Sequence, residues 1–247
     1  ATGTNALRSN STGAQNTANG TGSLVNNTIG NANTAMGLNA MALNNTGNEN
    51  TAVGNFAIVN NTNGSRNTGM GNAVLSSNTT GNNNTASGNG ALSFNTTGYS
   101  NVAIGTEALM KNTDRSNLVA IGDSALYNNG TGTLFPGEGR RNTAVGSKAL
   151  YTNNTGADNT ASGFNSLFSN SSGYSNTANG ASSLRANTTG YQNAASGAYS
   201  LLLNTTGIYN AAHGNSSLGS NTQGEYNTGS GSNSLFNNTL GNRNTAA

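Results

Sequence analysis

Side chains able to do acid–base or metal chemistry are few in this sequence and widely scattered. One histidine, His213, and seven carboxylates, Glu49, Glu107, Asp114, Asp123, Glu138, Asp158 and Glu225, make up the whole inventory of candidate bases and hard ligands. Catalysis by such groups needs them to converge, and glycoside hydrolysis needs two carboxylates held across one bond. These residues are spread over several repeats of the chain and at several different phases, so no pair is indicated. Cysteine is absent, which removes thiolate chemistry and disulfides. The Asp-rich nonapeptide that loads calcium into β-rolls is missing. Gly137-Glu138-Gly139 lacks the strand-to-helix context of a phosphate loop. The sequence therefore predicts no enzyme, no cofactor and no metal site.

The elements that would position any functional side chain come from a tandem repeat. The stretch Asn84 to Ser100, NTASGNGALSFNTTGYS, recurs with changes at a 17-residue period along the chain. Numbered from its opening Asn, units start at Asn16, Asn33, Asn50, Asn67, Asn84 and Asn101, then at Leu118. After an interruption they resume at Asn142, Asn159, Asn176, Asn193, Asn210 and Asn227, with a stub from Asn244. Residues 1–247 thus read as a single repeat domain of about 14 coils whose two ends both fall within a repeat, as in a slice of a longer fibre.

Composition alone would suit a disordered polar segment: 6% charged residues, 32% hydrophobic, 35 Gly and still more Asn. The strict period argues against disorder. Position 5 is always Gly, including Gly71, Gly88 and Gly105, and position 15 is Gly in every unit except at Arg115. A glycine at fixed phase marks a bend at positive φ or a close backbone approach. Two per unit leave pieces too short for helices, and the Asn-Thr-Ala-x and x-Ala-Leu-x pieces suit short strands. The fold class expected is all-β, a β-solenoid of 17-residue coils stacked at ~4.8 Å.

Position 9 supplies the core, with Leu75, Leu92 and Leu109 typical, and positions 3 and 8 are small. Position 12 is Asn in every unit, including Asn78, Asn95 and Asn112. Identical Asn side chains stacked along an axis can hydrogen-bond as a ladder, which satisfies their amides in a narrow interior. The N-x-S/T sequons at Asn78, Asn95, Asn187 and Asn204 follow from this repeat and read as structural.

One buried Leu per coil contributes ~1.5–3 kcal/mol, whereas ordering a coil costs on the order of 1 kcal/mol per residue. A cover from outside the tube is therefore expected, most simply another copy of the chain. Large apolar residues at position 4 (Met36, Val53, Met70, Ile104, Ile121, Val145) and position 10 (Val25, Val59, Met110, Tyr127, Tyr151, Phe168, Leu202, Phe236) would form its contact surface.

The interruption, residues 133–141 (TLFPGEGRR), reads as a turn-rich loop bulging from one corner, with Phe135, Arg140 and Arg141 as candidate contacts for a ligand or a neighbouring chain. A formal charge of +2, spread singly, offers no patch for nucleic acid, and no apolar run is long enough to span a membrane. A row of Thr at position 2 suggests ice binding, but Val102, Val119, Ala194 and Ala211 interrupt it and no second Thr row runs beside it.

Two adjacent units carry Asn101-Val-Ala-Ile-Gly105 and Leu118-Val-Ala-Ile-Gly122, each followed by x-x-Ala-Leu. They resemble the repeats of trimeric autotransporter adhesin heads, the YadA-type left-handed β-roll. The wider pattern N-T-A-V-G-x-x-A-L-x-x-N-T-T-G is similar to repeats in phage tail fibres. The resemblance runs through the whole chain, at a longer period than in the adhesin heads. It implies a parallel homotrimer forming a rod, extracellular on a cell surface or virion, used for multivalent attachment to a glycan or protein receptor. Head-to-tail stacking of coil edges into a surface or matrix filament is the second reading, and an ice-binding solenoid the third.

Overall fold

In the computed structural model, residues 1–131 and 138–247 are described, and they contain strands and turns but no helix. Phe135 lies outside the described residues. The chain forms two compact units, Ala1–Leu118 and Val119–Ala247. The first holds β1 (Thr17–Asn19), β2 (Thr34–Met36), β3 (Thr51–Val53), β4 (Thr68–Met70), β5 (Thr85–Ser87) and β6 (Val102–Ile104). The second holds β7 (Val119–Ile121), β8 (Thr143–Val145), β9 (Thr160–Ser162), β10 (Thr177–Asn179), β11 (Ala194–Ser196), β12 (Ala211–His213), β13 (Thr228–Ser230) and β14 (Thr245–Ala246).

Within each unit every strand pairs in parallel with the next one in sequence, position 2 opposite position 2 and position 3 opposite position 3. Successive turns of chain thus stack directly on one another, which makes the fold a parallel β-solenoid with 17-residue spacing. The middle residue of each strand faces inward: Ala35, Ala52, Ala86 and Ala103 are fully buried. Positions 2 and 4 face outward, as a two-residue side-chain period requires.

Only the Asn-Thr-Ala-x piece is a strand. The x-Ala-Leu-x piece is instead a turn in which positions 7 and 9 take left-handed backbone angles, for example Ala73 at φ 50° and Leu75 at φ 49°. Inter-coil hydrogen bonding continues through it, since Leu75 N–H donates to Ala91 O at 3.0 Å and Leu92 N–H to Ala108 O at 2.9 Å. Alternating hand at alternate residues bends the chain around a core too small for a second straight strand, while each coil still bonds the next.

The core is as narrow as the repeat implies. Leu75, Leu92 and Leu109 are fully buried, with Val74, Ala91 and Ala108 beside them at position 8. Gly71, Gly88 and Gly105 turn the chain at φ 139°, 131° and 130°, where side chains are rarely tolerated. Position 15 is Gly for a different reason. A Cβ on Gly81 would fall under 3.0 Å from both the Asn78 side chain and the Gly98 carbonyl.

That close approach serves two amide ladders. Asn78 Nδ2 donates to Asn61 Oδ1 at 2.8 Å and to Gly81 O at 3.0 Å, and its own Oδ1 accepts from Asn95 Nδ2 at 2.8 Å. Asn112 Nδ2 continues the row to Asn95 Oδ1 at 3.1 Å. Position 1 builds the second ladder: Asn67 Oδ1 accepts from the Asn84 backbone N–H at 3.0 Å, while Asn67 Nδ2 reaches Gly81 O at 2.8 Å. Where a unit has Asn at both positions 1 and 12, its position-15 carbonyl thus takes two amide donors. Arg115 keeps that role through its backbone, accepting from Asn101 and Asn112 at 2.9 and 3.0 Å.

Candidate functional site

Most of the titratable residues lie apart, but, contrary to the expectation that no two carboxylates come together, Glu138 and Asp158 line one recess with Arg141. His213 lies on the outward face of β12 and is exposed. Asp114 pairs with adjacent Arg115 at 3.4 Å. Among the described residues no group of three or more His, Asp or Glu could hold a metal ion. No helix among them is long and apolar enough to cross a membrane. The sequon residues Asn78, Asn95, Asn187 and Asn204 are fully buried with their amides bonded, so folding withdraws them from modification.

The loop arginines rejoin the coil. Asn129 Nδ2 donates to Gly139 O at 2.8 Å, the bond that position 12 makes to position 15 elsewhere. Gly139 therefore takes the position-15 role, although the period alone assigns it to Gly132. Arg140 and Arg141, counted by period inside the insertion, occupy positions 16 and 17. Arg140 O accepts from the Asp158 N–H at 3.1 Å, as position 16 does in regular coils. Arg141 forms a two-pronged ion pair with Asp158, Nε to Oδ1 at 2.6 Å and Nη2 to Oδ2 at 2.9 Å. The hydrogen bonds from Arg141 hold the Asp158 carboxyl below the usual carboxylate range, against a smaller opposing effect of burial.

The outer surface carries aligned rows set by the coil register. At position 4 of the first unit, Met36, Val53, Met70 and Ile104 are 43%, 37%, 48% and 42% exposed. At position 10 Phe236 is exposed as expected, but three of the row depart from an exposed stripe. Tyr127, Tyr151 and Phe168 are half-buried and stack ring on ring at 5.2 and 5.3 Å, capped by the Arg185 guanidinium 5.9 Å from the Phe168 centroid. Rings one coil apart cover one another, so this row needs no outside cover.

A second aromatic row was not singled out in the sequence. Tyr174 and Tyr191 at position 16 stack at 4.7 Å, and Tyr209 and Tyr226 at position 17 stack at 4.8 Å. Tyr191 meets Tyr209 edge to face at 5.6 Å, joining the two stacks, and Arg243 lies 5.8 Å from the Tyr226 centroid. Lost hydration raises the Tyr191 phenol above its ordinary pKa, and the charges of neighbouring phenolates and Glu225 add to it. The signal was present as tyrosines one period apart. It is obscured because the row shifts from position 16 to position 17 at Ile208-Tyr209.

Where the tyrosine row begins there is an open recess of about 500 Å³, lined by Glu138, Arg141, Thr155, Asp158, Ser172 and Tyr174, with Ala157 among them. Its walls come from positions 14, 16 and 17 of neighbouring coils and from the end of the insertion. It can offer an aromatic ring, a guanidinium, carboxylates and hydroxyls to one small group. No protein-family model, curated protein or solved structure matches this chain.

Proposed function

We propose that this chain is an extracellular structural and attachment segment, the rod or head of a homotrimeric fibre whose repeated outer rows make many weak contacts. The observation that carries the reading is the position-4 row of the first unit, in which Met36, Val53, Met70 and, beyond Ser87, Ile104 are exposed on an in-register and uncharged strand face. A neutral face of Thr, Met, Val and Ile suits a second surface of the same kind better than a charged partner. Repeated coils give avidity because every coil adds an equivalent contact once the first is made. The buried rows of Asn and Leu, which hold one coil to the next, support a mechanical role.

Light scattering over a range of protein concentrations tests this reading. The expected result is a constant mass near three chains, falling to one chain when Met36, Val53 and Met70 are replaced by Lys. A monomer at every concentration would refute the shared face. A mass that climbs with concentration would favour the second reading, head-to-tail assembly into a filament through exposed coil edges.

A further inference from the structure

We propose that the recess at the head of the tyrosine row is a saccharide subsite that seats one sugar ring against Tyr174. The position-16 row reads Ala157, Tyr174, Tyr191 in successive coils. Tyr191 covers one face of Tyr174 at 4.7 Å. The rung on the other side is only the methyl of Ala157, and both residues line the recess. The stack therefore lacks one ring's thickness, and the second face of Tyr174 is open to whatever fills that rung.

The surrounding groups select the filler. Arg141 and Asp158 form an exposed, two-pronged ion pair, which leaves Arg141 Nη1 and the outer lone pairs of the carboxylate outside that pair. Thr155 and Ser172 add hydroxyls from position 14. The Arg141–Asp158 pair is neutral as a unit, so it gives a phosphate or another anion no net attraction. A peptide phenyl ring would fill the rung but leave this polar rim desolvated and unmatched. A neutral pyranose has one face of C–H groups for Tyr174 and an equatorial belt of hydroxyls for the rim. The volume, about 500 Å³, suits one or two such rings. The open shape and few contacts place affinity in the millimolar range for one ring.

This inference deepens the attachment reading, on which its biological use rests. Its test uses monovalent probes and so does not depend on oligomeric state. Saturation-transfer NMR on the full chain would use methyl glycosides of glucose, galactose, mannose and N-acetylglucosamine, with N-acetylphenylalanine amide as the competing class. The expected result is transfer to the ring protons of at least one glycoside. It should fall about tenfold in Ala157→Phe, which fills the missing rung, and similarly in Tyr174→Ala, at unchanged thermal unfolding. Asp158→Asn should weaken binding less, because it keeps the shape and one acceptor. Should Ala157→Phe fail to fold, Tyr174→Ala decides. No transfer to any glycoside, equal transfer in the variants, or transfer only to the phenylalanine amide would each overturn the proposal.

Discussion

Leu75, Leu92 and Leu109 are buried with φ of 49°, 54° and 53°, a backbone region that costs an L-residue roughly 1–2 kcal/mol. Their burial returns about as much, ~1.5–3 kcal/mol, so the position tolerates only a residue that fills the tube. Ile58 occupies the same place at φ 50° with a branched Cβ, and its surroundings have adjusted. Position 3 of the next coil is Gly69 rather than Ala, and a Cβ there would lie 2.9 Å from Ile58 Cγ1 and 3.1 Å from Val74 Cγ1. Three departures from the repeat are thus one packing solution. Gly69→Ala is expected to cost about 1–3 kcal/mol by overpacking. In an Ile58→Leu, Val74→Ala background, which restores the side chains of ordinary coils, the cost should fall below about 1 kcal/mol. Denaturant unfolding of the four proteins of this cycle checks it, and additive effects would refute the coupling. All three departures are visible in the sequence, but their connection is not, because residues 58, 69 and 74 meet only through the stacking of coils.

At the scale of one coil, hydrogen bonds along the axis carry the regularity. Replacing Asn78 by Ala leaves Asn61 Oδ1 and Gly81 O each one donor short and Asn95 Nδ2 one acceptor short, inside a space closed to water. We expect a loss of about 2–4 kcal/mol, concentrated in the coils on either side as in a one-dimensional array. Hydrogen exchange of the backbone N–H groups of Asn61, Asn78 and Asn95 should quicken far more than that of coils near β2. Uniform quickening along the unit would show that coils do not respond as neighbours. The position-12 ladder was legible because the residue never varies. The position-1 ladder was not inferred, since an Asn beside a strand reads equally well as a turn residue. The expected second strand failed for the same local reason: Ala-Leu says buried, but not which hand the backbone takes.

At the scale of the molecule, low charge predicts an unusual indifference to pH. Asp158 is a carboxyl whose folded pKa is lowered, through Arg141. Its contribution to stability is full above the ordinary carboxylate pKa and is lost as pH falls through its lower folded value. Thermal unfolding should therefore hardly move between neutral pH and about pH 5, then show one small decline below about pH 4. Asp158→Asn should abolish that decline, and a large loss near neutral pH would contradict this account. The sequence by itself determined the period, the inward Leu, Ala and Asn positions and the solenoid class. These follow from identical residues at identical phase, which one coil's sterics and hydrogen bonding decide. Only the tertiary structure decided that Gly139 resumes the coil, that Tyr127, Tyr151 and Phe168 cover one another by stacking, and that a tyrosine row begins beside the gap over Ala157. Those outcomes depend on which side chains of neighbouring coils come within a ring's thickness of one another, a distance set by stacking and absent from any single repeat.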